Sequence, residues 1–268
     1  MRGVVLALWG IAQSGLPTAR THRIEVASSP QGIEAEMPHA GAYARGVRAD
    51  AELDFANARL HYAQATDEFR RAGQNVWADK SSRQLSYSMS LERADIMLAR
   101  MGSMGFTGSA QFRLPFALAY HEKFLSTRAF LGHPVPELAA RAETMYRQIL
   151  DGEPENVEAR LDLAALYGEM GLAVQAEKEF RSVPESRRND DMHAVELARY
   201  YASRAMIDDA FHALDRARRR LPYAVRDLPL LNSFDRLRKD PRFPRMAGSQ
   251  PPPPPARPYG GWPLPPRP

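Results

Sequence analysis

Apolar residues in the second half of the chain recur with helical spacing. Leu163, Ala164 and Tyr167 lie at i, i+1 and i+4, one stripe of a helix. Met170 and Gly171 end that stripe, since glycine accepts the left-handed turn that closes a helix. Ala176, Phe180 and Val183 follow at i, i+4 and i+7, the stripe of a second helix. The two small residues, Ala164 and Ala176, let the helix axes approach closely, while Tyr167 and Phe180 fill the wedge beside them. Asn156 suits the start of the first helix, because its side chain can accept from an unpaired backbone N–H. The pattern predicts an antiparallel helical hairpin over 157–190.

The same pattern returns after 34 residues. Leu163 falls on Leu197, Ala164 on Ala198, Tyr167 on Tyr201, Ala176 on Ala210 and Phe180 on Leu214. Shifted the other way, Ala142 and Tyr146 fall on Ala176 and Phe180, with Pro154 preceding Arg188 and Pro222 closing the third unit. The matching positions are the apolar and small ones, which is what stacked hairpins need to share one core. Asp190 stands where Asn156 stands one period earlier, and Pro136 suits the first turn of a helix.

This arrangement resembles the tetratricopeptide repeat family. Residues 157–190 supply Leu163, Ala164, Tyr167, Gly171, Ala176 and Phe180, departing from the family pattern at Arg160 and Arg188. Residues 191–224 supply Leu197, Ala198, Tyr201, Ala210, Ala217 and Pro222, with Ala205 in place of the turn glycine. The resemblance covers 115–246: a first helix near 115–131 followed by the extra residues 132–135, then the repeats, then a capping helix over 225–246. It implies an all-α fold, a right-handed superhelix of stacked antiparallel helical hairpins. Upstream, no proline or glycine interrupts 47–72 or 75–101, and Ala58, Tyr62 and Ala65 repeat a helix spacing off the 34-residue register. Long helices in one or two degenerate hairpins are expected across 41–114, with a break at 102–108.

The two ends differ in kind. Met1-Arg2 precedes an apolar stretch over 3–11, the pattern of a secretory signal, although Pro17 is badly placed for cleavage after Ala19. Export to a secreted or periplasmic site is preferred over a cytoplasmic one, with 1–19 as the signal or an apolar N-terminal segment and 20–40 as a linker. Over 247–268 the composition is that of a disordered spacer, because ten of the last 18 residues are proline. No apolar run reaches the ~20 residues that a helix needs to cross a bilayer, which excludes a polytopic membrane protein. Absence of cysteine removes disulfides and thiolate chemistry.

Catalytic patterns are missing. None of the seven histidines makes HExxH, and neither GxxxxGK[ST] nor GxSxG occurs. Asp190-Asp191 and Asp208-Asp209 sit at expected helix starts, where they offset the helix dipole. No catalytic, cofactor-binding or metal-binding residue is assigned, and no cofactor is implied. Net charge is +4, concentrated in residues 201–268 at a local +7. Acidic residues alternate with the basic ones there and no aromatic platform lies among them, so solvated helix faces are preferred over nucleic-acid binding.

The resulting expectation is a non-catalytic scaffold that holds a protein, peptide or partner helix in its groove. By the family's geometry the groove carries Glu158, Leu161, Asp162, Ala165 and Glu169, then Met192, Val195, Glu196, Arg199 and Ser203. Such a surface is acidic and apolar and suits a basic or amphipathic segment. An enzyme with active residues in 41–120 is the alternative, because that half carries no assigned role.

Overall fold

In a computed structural model the described residues are 40–103, 110–220 and 231–248. The segment 1–19, the linker up to residue 39, residues 104–108 of the expected break, Pro222 and the proline run from Pro251 lie outside them. Among the described residues every element is helical, and the fold is an all-α helical repeat solenoid.

The N-terminal part runs α1 (Ala40–Ala51), α2 (Phe55–Arg71), α3 (Asn75–Leu91) and α4 (Ala94–Ser103). The expected uninterrupted helix over 47–72 is broken between Ala51 and Phe55. Leu53 takes φ 59, and the Asp54 side chain caps α2 by accepting from the Asn57 N–H at 3.1 Å. A leucine in the left-handed region costs roughly 1–2 kcal/mol, which that cap and the packing of α1 on α2 offset. Over 75–101 a second break falls at Glu92 and Arg93. Ser86, Ser88 and Ser90 precede it, and their hydroxyls bond back to the carbonyls four residues earlier, a habit that weakens helices. α1, α2 and α3 enclose one core, with Tyr43 against Tyr62 at 5.4 Å and against Phe130 of the next helix at 6.3 Å.

The repeats follow as three hairpins: α5 (Ala110–Leu131) with α6 (Pro136–Gly152), α7 (Val157–Glu169) with α8 (Ala173–Arg181), and α10 (Ala194–Ser203) with α11 (Ile207–Arg220). A short α9 (Glu185–Arg188) and a 3-10 turn (Asp191–His193) join the second pair to the third. Asn156 caps α7 at 2.9 Å from the Ala159 N–H, and Pro136 opens α6. Ala142, Ala164, Ala176, Ala198 and Ala210 are all fully buried, as close helix contacts require. The first helices α5, α7 and α10 pack in succession, α7 against both neighbours, the side on which stacked hairpins present a concave face.

One turn type closes four of the connections. Leu172 N–H donates to Tyr167 C=O at 2.8 Å around Gly171, and Met206 N–H donates to Tyr201 C=O at 2.9 Å around Ala205. Gln74 to Phe69 and Asp54 to Ala49 repeat the bond at 2.9 Å. Each is the closure in which a left-handed residue lets the backbone return to the last helical turn, here Gly171, Ala205, Gly73 and Leu53. The degenerate N-terminal hairpin thus shares its turn chemistry with the repeats.

Of the expected capping helix over 225–246, residues 225–230 lie outside the described residues and the remainder comes as two pieces. α12 (Arg242–Gly248) packs on α11, with the Arg242 guanidinium 4.2 Å from the Phe211 ring centre. A 3-10 turn (Asn232–Leu237) lies instead against α10 and α5, across the concave face.

Candidate functional site

The concave face is built by three parallel rows of side chains. α7 contributes Glu158, Asp162, Ala165 and Glu169, one turn apart. α10 contributes Glu196, Arg199 and Ser203, and α5 contributes His121, Glu122 and Arg128. Arg199 Nη1 donates to Asp162 Oδ1 at 2.7 Å and stands 3.9 Å from Glu196. Arg128 pairs with both the carboxylate and the carbonyl of Glu169, tying α5 to α7. α7 and α10 touch at their far ends, where a Cβ on Gly168 would stand 2.1 Å from Ser203 Oγ.

Burial decides what this face offers. Leu161, Asp162, Ala165, Glu169, Val195, Glu196, Arg199 and Ser203 are all buried. Leu161 and Val195 belong to the core shared by α7, α10 and α11. Glu158 is half-buried and Met192 is 51% exposed. Glu158 stands at one end of the face and lines a cleft of ≈ 400 Å³ with Glu153, Glu155, Asn156, Arg187 and His193, the residue that follows Met192. The open part of the surface is therefore this acidic mouth. The chain's own 231–238 segment lies against α10 and α5 and reaches α7 through Arg236 and Glu169.

The charges on the face are strained by one another. Burial pushes the Glu158 carboxyl up to about 7, with Asp162 and Glu196 adding repulsion. Burial also raises Asp162, and Arg199 counters it. His121 is held neutral, its pKa pressed down to about 3 by burial and then by Arg199 and Arg128.

The tetratricopeptide repeat family model matches residues 138–200, which span α6 to the middle of α10. Over this segment the chain is similar to the tetratricopeptide repeat family. No curated protein and no solved structure matches the chain. Within this match α7 and α10 are the first helices of successive hairpins.

Two features outside the tetratricopeptide match had no signal in the sequence. One is a sealed polar cluster between α1, α2, α3 and α5. Lys123 Nζ donates to Asp50 Oδ2 at 2.6 Å, to Ser88 Oγ at 2.8 Å and to the Gln84 carbonyl at 3.0 Å. Tyr62 donates its hydroxyl to the same Asp50 oxygen at 2.6 Å, and Lys123 Nζ lies 4.3 Å from the centre of the Tyr62 ring. Burial lowers Lys123 to about 8 even beside this carboxylate, and burial raises Asp50. The pair has no exposed surface, so the cluster joins helices and presents nothing to a substrate. The other is the inward turn of the basic C-terminal end. Arg236 bonds the Ser203 carbonyl and faces Glu169, Arg238 bonds Leu231 C=O, and Arg242 pairs with Asp208 and Asp240. Among the described residues no three His, Asp or Glu side chains come together as a metal site, and no helix is long and apolar enough to cross a membrane.

Proposed function

We propose that the chain is a non-catalytic protein–protein interaction scaffold whose concave face takes a basic or amphipathic segment of a protein partner. The observation that carries this reading is the acidic row on the tetratricopeptide first helices, Glu158, Asp162, Glu169 and Glu196, ending in a mouth with an exposed methionine. Stacked hairpins present an extended concave surface more readily than an enclosed reaction pocket. Glu158, Asp162 and Glu196 have the one guanidinium of Arg199 among them, so they favour an added cation, since each new positive charge relieves repulsion already present. An exposed methionine beside them supplies adaptable apolar contact.

Affinity capture from the native lysate tests this, with the wild-type chain compared against Glu158→Lys and Met192→Glu. The expected result is a captured protein that binds the wild type with strong salt dependence and is lost from both folded variants. Equal capture by all three would remove the concave mouth as the binding surface.

A further inference from the structure

The concave face already holds a peptide, and it is the chain's own. The Asn232 backbone N–H donates to Glu122 Oε2 at 2.7 Å, and Ser233 Oγ donates to Glu122 Oε1 at 2.7 Å. Asn232 Nδ2 reaches the Glu122 carbonyl at 3.4 Å. Three residues on, Arg236 Nη1 donates to the Ser203 carbonyl at 2.6 Å while Nη2 stands 3.4 Å from Glu169 Oε2. Phe234 between these anchors is fully buried, as is Leu237. The contacts of Asn232 with Glu122 join residues 110 positions apart in the chain. Together these contacts have the form of a bound ligand: one carboxylate receives a backbone amide and a hydroxyl, the Phe234 ring enters the core shared by α7, α10 and α11, and one carboxylate faces a guanidinium. The segment is also closed on itself, since Arg238 Nη2 bonds the Leu231 carbonyl at 3.1 Å and Arg238 Nε pairs with Asp235 at 2.6 Å.

The fit is incomplete. Asp162 Oδ2, Arg199 Nε and His121 Nε2 are buried on the same face and make no hydrogen bond within the protein. Leaving such groups unpaired is costly, so an occupant that reaches them binds better than the internal one. Arg236, by contrast, keeps 43% of its side chain exposed, and its anchor can be released without opening the core.

We propose that 231–238 is an internal ligand of the concave face, and that the partner carries a peptide segment which replaces it. That segment presents a hydroxyl or amide donor to Glu122, an aromatic ring in the place of Phe234 and an arginine to Glu169. This rests on the scaffold reading and adds to it the chemistry of the ligand and the reason the free chain is closed. Affinity for any such peptide is reduced by the fraction of molecules in which the internal segment is displaced.

The test uses the full chain and a fluorescent synthetic peptide with the sequence of residues 231–240, followed by anisotropy. Ser233→Glu with Arg236→Glu sets carboxylates against Glu122 and Glu169 and releases the internal segment. The expected result is a folded double variant that binds the peptide about 10-fold or more tighter than the wild type does. The same peptide with both substitutions does not bind. A folded double variant that fails to bind the peptide overturns the proposal, as does one that loses cooperative melting. Hydrogen exchange on the wild type gives a check free of substitutions. The amides of 232–238 exchange by local opening, ahead of those of α7 and α10. Exchange of all three only on global unfolding makes the segment a fixed part of the core and ends the proposal. In that case capture that still depends on Glu158 and Met192 leaves the scaffold reading standing, whereas capture indifferent to them ends that reading instead.

Discussion

Lys123 Nζ and Asp50 Oδ2 stand 2.6 Å apart with no exposed surface on either side chain, and they pin the first helix of the array to the N-terminal hairpin. Taking two charges out of water offsets most of their attraction, so the intact pair contributes little net stability. Removing one partner is different, because the other charge remains buried and alone. Lys123→Ala is expected to cost about 3–5 kcal/mol. Lys123→Met with Asp50→Leu should recover part of that loss, since neither charge then remains. Urea unfolding of the three proteins checks this, and a double variant no more stable than Lys123→Ala would mean that the pair does more than balance its own charge.

The repeat half was legible because its requirements are local and periodic. Ala164 and Ala198, Ala176 and Ala210 mark the close helix contacts, and each survives a shift of 34 residues. Even Ala205, which lacks the expected glycine, takes φ 56 where Gly171 takes φ 77. The N-terminal hairpin was less legible because its turn rests on Leu53, a residue that carries no turn signal, and on Gly73 outside the repeat register. That Glu158, Asp162 and Glu169 share one side of α7 follows from their helical spacing, whereas their place in a groove came from the family resemblance. What fills the groove could be read from neither, because Asn232 and Ser233 meet Glu122 across more than a hundred residues with no periodic trace. His121, Glu122 and Lys123 are likewise three consecutive polar residues, all buried, facing three different partners.

Ala176 and Ala210 stand one period apart, both with no exposed surface. Arginine at either site must displace a neighbouring helix or bury an unpaired charge. Overpacking alone costs about 1–3 kcal/mol, and the charge adds to it. Ala176→Arg and Ala210→Arg are each expected to lower the melting temperature by many degrees or to abolish cooperative melting. Unchanged melting by circular dichroism in both would show that the helices are not paired through these alanines.

Gly168 and Ser203 set the distance between α7 and α10. A Cβ on Gly168 would lie 2.1 Å from Ser203 Oγ and 2.9 Å from its Cβ. Gly168→Ala should therefore destabilise by about 1–3 kcal/mol despite the better helix propensity of alanine. Ser203→Gly removes both clashing atoms, so the double variant should regain much of the loss. A double-mutant cycle reads this coupling directly, and strict additivity would place the two helices further apart than they stand here.

Leu161 and Met192 should separate stability from binding. Leu161 has no exposed surface and sits in the core with Val157 and Leu197, whereas Met192 is 51% exposed at the mouth. Leu161→Ala is expected to cost about 2–5 kcal/mol. Met192→Ala should leave melting within error of the wild type and weaken a captured partner by faster dissociation. Matched thermal melts and surface-plasmon traces decide the point, and a Met192→Ala protein with wild-type dissociation would move the contact elsewhere on the array.

Glu158 gives the acidic mouth a pH dependence whose sign can be worked out. Burial, then Asp162 and Glu196, raise its carboxyl to about 7 in the folded chain, above the ordinary value near 4.3 that it regains on unfolding. Between those values the folded state holds a proton that the unfolded state has lost, so this group's contribution to stability falls as pH rises through that window. Glutamine keeps the shape of the protonated acid and cannot ionise. Glu158→Gln should therefore gain on the wild type as pH rises from 5 to 8, by about 1–2 kcal/mol once solvent screening of this half-buried group is allowed for. Denaturant unfolding of both proteins at the two pH values measures the change, and a stability difference that does not grow with pH would mean that the mouth is better solvated than its burial implies. A basic partner segment seated there supplies the missing cation and holds Glu158 ionised. Binding should accordingly release a proton near pH 6, which calorimetry in buffers of different ionisation enthalpy detects as a buffer-dependent heat.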